Sequence, residues 1–483
     1  MNGVTFFGFL LALTSVLTPN ANAIERMPTD VSNCHLFSTI APSMRAPREF
    51  MPEGVTRHWR PTLTPFWAQE LIGADLARQF VYESTAASIV RIGTFEGVDL
   101  DSLPLSSWGL GFVPCRYNRQ SCIPNFASHF EDTFNLRTLL FHGTAVANIV
   151  AGSEPVGVSP RSQYVITGSL EYRFGGVSVD WGTANDMVRA GVQIVAASHE
   201  MNEPHMHDIS RWLYEHDVLV IQTPGNHYHA DDQSYFRPKL QPSTNIVVGS
   251  LSPWGFLSSF STASDQVEVT APSDEYLTTF YNGAYHLMGG TSGAQPLVSG
   301  ALANVISFLP GLTLVEAREL LRRTAIPTAD SRHGIPGSGS GMVNAYLLVR
   351  VADRLRPEWP LNSHRILNDI SLYEFQSESD RTLDQARELL RSENLCQRTR
   401  AVQLLRKALL LNSRNRDASR LLIQFYRSAG FTDNAVFVES ITSDNGQFLD
   451  TISISSNEEP GLVQAFLRHR AARNQHQHRQ ANH

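Results

Sequence analysis

Three short segments carry residues suited to acyl-transfer chemistry. In Gly290-Thr291-Ser292-Gly293-Ala294-Gln295-Pro296 a turn of small residues presents one serine, and Pro296 with the apolar residues after it predicts entry into a buried helix. A hydroxyl at a helix start lies beside free backbone N–H groups that stabilise negative charge, but it is a poor nucleophile without a neighbouring base. His142, in Phe141-His142-Gly143-Thr144-Ala145, is the candidate base, because imidazole titrates near neutral pH. Asn226 ends the turn Thr223-Pro224-Gly225-Asn226, after the strand-like run Val218-Leu219-Val220-Ile221. Its side-chain amide is a donor of the kind that holds a developing oxyanion. Taken singly, the three residues also fit a helix cap, a packed histidine and a turn former.

In this order the three segments resemble the subtilisin-like serine peptidases, the subtilases, over roughly residues 61–352. Further ordered matches are Gly157-Val158-Ser159-Pro160, the run Gly191 to Ser198, Val247-Val248-Gly249, Thr270-Ala271-Pro272 and Gly341-Met342-Val343-Asn344-Ala345. The resemblance implies an α/β fold, a doubly wound and mostly parallel sheet with helices on both faces. It also implies Ser292 as nucleophile, His142 as general base and acid, and Asn226 with the Ser292 N–H as oxyanion donors.

The acid that should orient the histidine departs from the family pattern. The family aspartate stands in Asp-Ser/Thr-Gly at the end of the first strand, and here that region reads Ile92-Gly93-Thr94-Phe95-Glu96-Gly97-Val98-Asp99. Ungapped matching on Gly97 puts Phe95 in the aspartate place. Glu96 is its neighbour, and alternate strand side chains face opposite ways, so Glu96 reaches His142 only through a bulge or a one-residue slip. Three readings stay open: a Glu96 triad, a slow Ser–His dyad backed by Phe95, and a pseudoprotease that binds peptides or proteins without cutting them.

Ser198-His199-Glu200 stands where the family usually has Ser-Leu-Gly, the edge that pairs with the substrate backbone. The charge on Glu200 predicts a preference for Lys or Arg near the cut. Histidines His199, His205, His207, His227, His229 and His286 cluster around these loops. His199-Glu200 lacks the second histidine four residues on that a zinc-peptidase helix requires, so no metal site is expected and the histidines read as solvated. No cofactor is expected; structural calcium leaves no readable signature.

The 483 residues, 42% hydrophobic, suffice for one large core and a smaller unit. The expected organisation is a signal peptide at 1–23, an N-terminal extension at 24–60, the peptidase domain at 61–360, a helical region at 365–450 and a basic, His-rich tail at 451–483, expected to be disordered. The apolar run Phe6 to Leu17 followed by Ala21-Asn22-Ala23 reads as an export signal, giving a secreted or periplasmic protein. No other segment is apolar enough to span a membrane. The extension is shorter than the folding propeptide that exported subtilases usually carry. The net charge of −7 argues against nucleic acid as partner; the expected partner is a peptide or protein substrate. Cys115 and Cys122 are the favoured disulfide, with Cys34 and Cys396 left over. Late in the chain Ala401, Leu404, Leu405, Ala408 and Leu409 form one helical face, and Ala418, Leu421, Leu422, Phe425 and Tyr426 the next. Ala401 and Ala435 lie 34 positions apart, the tetratricopeptide period, so the stretch resembles one to two degenerate repeats. Such helices either pack on the catalytic domain or receive a protein partner.

Overall fold

The computed structural model describes residues 66–98, 133–152, 181–199, 204–226, 244–274, 284–359, 372–392, 394–428 and 431–442, with shorter pieces at 63, 110–112, 156–159, 161–166, 170–173, 176–179, 201 and 277–281. The signal, the N-terminal extension, the tail, Cys34, Cys115, Cys122 and the side chain of Cys396 lie outside the described residues.

Seven parallel strands form the central sheet in the order β2-β3-β1-β6-β7-β8-β9. They are β1 (Val90–Thr94), β2 (Leu110–Phe112), β3 (Ser162–Ile166), β6 (Ile194–Ala197), β7 (Leu219–Gln222), β8 (Asn245–Leu251) and β9 (Val269–Pro272). Two separate antiparallel pairs flank it: β4 (Leu170–Arg173) with β5 (Gly176–Val179), and β10 (Leu277–Tyr281) with β11 (Ala284–Met288). Every residue of β6, β7 and β8 is buried, as helices on both faces require of a parallel sheet.

On one face lie α3 (Thr133–Ala151) and α6 (Thr291–Phe308). Helix α6 is apolar or small-sided almost all round, the pattern of a helix enclosed by protein, and Ser292 is its one residue that is not buried. The opposite face carries α4 (Trp181–Arg189) and α5 (Pro204–Glu215), whose Met187, Met206, Ile209 and Leu213 pack with Val195 and Val220 of the sheet. Short helices α1 (Trp67–Leu71) and α2 (Ala74–Glu83) precede the sheet, and α7 (Leu314–Thr324), α8 (Ala329–Arg332) and α9 (Ala345–Leu355) follow α6.

The late helical periodicity becomes α10 (Tyr373–Leu390), α11 (Leu395–Leu411), α12 (Arg416–Ser428) and α13 (Thr432–Thr442). Their apolar faces are continuous with the main core rather than closed on themselves. Phe437 of α13 meets the edge of Trp67 at 6.4 Å between ring centres, and both side chains are fully buried. Arg406 of α11 grips both carboxylate oxygens of Asp75, at 2.8 and 2.9 Å. Asn344 Nδ2 donates to the Leu410 carbonyl at 2.7 Å, and Arg350 pairs with both oxygens of Glu378 at 2.8 Å. The helices are therefore a wall of the same core that encloses the sheet.

Candidate active site

The nucleophile candidate is the second residue of α6. Gly290 precedes the helix with φ +74°, and a Cβ there would lie 2.9 Å from Asn226 Nδ2, so both the turn and the approach of Asn226 call for glycine. The helix begins at Thr291, earlier than Pro296 suggested, which places Ser292 inside the first turn. Its hydroxyl donates to the Ser198 carbonyl at 2.9 Å.

Asn226 follows the end of β7 and is exposed. Its Oδ1 accepts from the Thr291 N–H at 2.8 Å and from the Thr291 hydroxyl at 2.9 Å. A backbone N–H can only donate, so these bonds fix the amide orientation and leave Nδ2 as the donor beside the serine turn.

The acid is placed by the end of β1. Strand β1 keeps continuous register with β3, from Val90 opposite Ser162 to Thr94 opposite Ile166, and then stops. A Cβ on Gly93 would face Met187 and Val192, and Phe95 packs on that same side, 3% exposed. Ile92 faces the α3–α6 side, and Glu96 emerges there too. Ordinary alternation thus brings Glu96 to His142 without the slip or bulge expected from the sequence, and Phe95 lies on the opposite face of the strand. Glu96 Oε2 lies 2.5 Å from His142 Nδ1. Gly143 permits the approach, because a Cβ there would lie 2.8 Å from Glu96 Cβ and would overlap the Gly97 carbonyl.

A second imidazole shares the carboxylate. His199 Nε2 is 3.4 Å from Glu96 Oε2, and the His142 and His199 rings lie 4.6 Å apart, tilted by 30°. Thr94 pairs with Ala196, so Glu96 and His199 both leave neighbouring strands just past their last paired residues. His199, expected from sequence at the substrate edge and as one solvated loop histidine among several, is built into the site. Nothing in its local sequence marks this; only the adjacency of β1 and β6 does.

Burial is the largest influence on the Glu96 carboxyl and raises its pKa, but the charges and hydrogen bonds of His142 and His199 outweigh it and hold the group well below the carboxylate range. Burial likewise lowers the pKa of His142, and the Glu96 charge and hydrogen bond outweigh that, so the imidazole is held above its ordinary value.

These parts sit inside a larger match: the model of the subtilase family fits residues 97–347, about half of the chain. The chain belongs to the subtilase family. Its similar proteins include the minor extracellular protease Epr of Bacillus subtilis, 28% identical over 195 residues, which are 38% of this chain and 29% of that protein. The major intracellular serine protease of Bacillus subtilis is 30% identical over 176 residues, 35% of this chain and 55% of that one. Subtilisin DY of Bacillus licheniformis is 28% identical over 213 residues, 42% and 75% of the two chains. The match thus spans well under two thirds of the first two relatives.

The family match begins at Gly97, one residue after Glu96. Of the substrate-edge residues, Ser198 is buried, its hydroxyl bonded to Gln295 Oε1 at 2.5 Å, and Glu200 lies outside the described residues with His227 and His229. His286 of β11 stacks edge-on against Phe141, 5.6 Å away, and His205 and His207 lie on α5. Among the described residues, no helix is long and apolar enough to cross a membrane.

Proposed function

We propose that this subtilase is an endopeptidase with a Ser292–His142–Glu96 triad, glutamate standing in for the family's aspartate. The observation that carries the reading is the 2.5 Å contact between Glu96 Oε2 and His142 Nδ1, with Phe95 packed on the far side of the strand. Glu96 holds the imidazole with its proton on Nδ1, so that Nε2 is free to take the serine proton. Ser292 Oγ attacks the peptide carbonyl and its proton passes to His142. The oxyanion accepts from Asn226 Nδ2 and the Ser292 N–H. His142 then returns the proton to the leaving amine, and water repeats the sequence on the acyl-enzyme. In the present geometry Ser292 Oγ is engaged with the Ser198 carbonyl, so attack requires a change of hydroxyl rotamer.

That same bond favours a second reading, a pseudoprotease whose idle serine lines a peptide- or protein-binding cleft. A fluorophosphonate probe separates the two. Labelling of the full chain that vanishes in Ser292→Ala and falls strongly in Glu96→Ala supports the triad. A folded protein that stays unlabelled supports the binding reading. The apolar run at Phe6 to Leu17 with the small-residue site at Ala21 to Ala23 supports export, to the exterior or the periplasm. Export is tested by the mature N-terminus of the protein recovered from its native compartment.

A further inference from the structure

Glu96, His142 and His199 bring three metal-ligating groups together, with one donor atom of each within 4.8 Å of the others. Two are imidazoles and one is a carboxylate, a donor set that suits Zn²⁺ with a fourth position left for water. With both imidazoles neutral the cluster carries one negative charge and is reached by solvent, since the two histidines are about a quarter exposed, at 24% and 22%. Glu96 itself is buried, and its Oε1 has no hydrogen-bond partner among the described residues, so the carboxylate retains unused ligating capacity.

The spacing fits. Zinc bonds of about 2.1 Å in a tetrahedron set neighbouring donors about 3.4 Å apart. Glu96 Oε2 and His199 Nε2 already stand at 3.4 Å, and the 2.5 Å pair of Glu96 with His142 has to open by about 1 Å, within reach of a small ring rotation or a switch to Oε1.

We propose that this cluster is a binding site for a divalent transition metal, typified by Zn²⁺, and that its occupancy switches the triad off. The metal bonds to Nδ1 of His142, and the proton that Nδ1 carried is lost to water. A neutral imidazole must then carry its proton on Nε2, which is taken up from water, so no net proton is exchanged. His142 in that tautomer has no lone pair to offer the Ser292 hydroxyl. His199 is the residue that makes the site, because without it the triad supplies only two ligands. The inhibition rests on the triad reading above; the binding does not.

The test uses the full chain with Co²⁺ as a spectroscopic stand-in, Zn²⁺ as competitor, and the variants His199→Leu and His199→Gln, each checked for a wild-type melting profile. The two substitutions differ in polarity, so a folding defect in one leaves the other informative. Visible d–d absorption of four-coordinate Co²⁺, displaced by Zn²⁺ and weakened at least about tenfold in both variants, is the expected result. Equal Co²⁺ binding by wild type and variants means that other histidines, such as His476 and His478 of the tail, take the metal, and overturns the proposal. Absence of the absorption in wild type overturns it as well. In parallel, Zn²⁺ should suppress fluorophosphonate labelling of wild type, while each variant keeps whatever level of labelling it shows without zinc. Labelling unchanged by bound Zn²⁺ overturns the switch. If the Co²⁺ absorption depends on His199 while Ser292 never labels, the metal site stands and the peptidase reading fails.

Discussion

In the proposed triad Glu96 is one methylene longer than the family's aspartate, and with that length its carboxylate stands 2.5 Å from His142 Nδ1. Glu96→Asp, although it restores the family's residue type, is therefore expected to lower kcat/KM, since a carboxylate drawn back by about 1 Å costs on the order of 10²-fold. Glu96→Gln should cost about 10³–10⁴-fold by losing both charge and tautomer control; peptide hydrolysis by the three proteins compares them. The pH profile gives a second check. His142 acts as base only when neutral and is held above its ordinary 6.5, so activity should rise through a midpoint above that value and fall in acid. In Glu96→Gln the midpoint should move down. The stability signs are opposite for the two partners. The contribution of Glu96 is complete above its ordinary 4.5 and is lost as pH falls through its lowered folded value. That of His142 is complete below 6.5 and is lost as pH rises through its raised folded value. The pair thus stabilises most between about pH 4.5 and 6.5, and urea midpoints of wild type and Glu96→Gln should converge on either side of that window. Ser292, His142 and Asn226 were legible because each is announced by its own turn or helix start. The partners of Glu96 were not, since they depend on which strands lie side by side.

At the scale of elements, the site is a meeting of two helices with the ends of neighbouring strands. Helix α3 presses onto the Glu96–Gly97 bend through Gly143, where a side chain has no room. Gly143→Ala is expected to separate α3 from that bend, lowering kcat/KM by about 10²-fold while costing only about 1–3 kcal/mol of stability. Kinetics alongside urea unfolding tells the two effects apart, and full activity in a stable variant would show that the contact is not needed. The buried strands and the central helix were foreseeable from runs such as Ile246-Val247-Val248 and Ala301-Leu302-Ala303, which have no polar face to turn outward. The parity at Phe95 and Glu96 was not. That parity leaves no mark in hydrophobicity when a phenylalanine and a glutamate are both buried, one by an apolar layer and one beside its histidines.

Across the whole molecule, the late helices complete the core that begins at α1, the first of the two alternatives their apolar faces allowed. Helical period reveals an apolar face but not what it faces, which is why the sequence left packing and partner binding side by side. Arg406, 9% exposed and holding Asp75, is the polar clasp of that junction. Arg406→Ala should cost about 3 kcal/mol by stranding the carboxylate, read as a lowered urea midpoint with one cooperative transition rather than two. The clasp joins residues 331 positions apart in the chain. Helices α1 and α2 are among the first described parts to leave the ribosome, and Phe437, which packs edge-on against Trp67, is made 370 residues later. A chain stalled or cut short before α13 would therefore carry Ser292, His142 and Glu96 while lacking the helix that packs against Trp67.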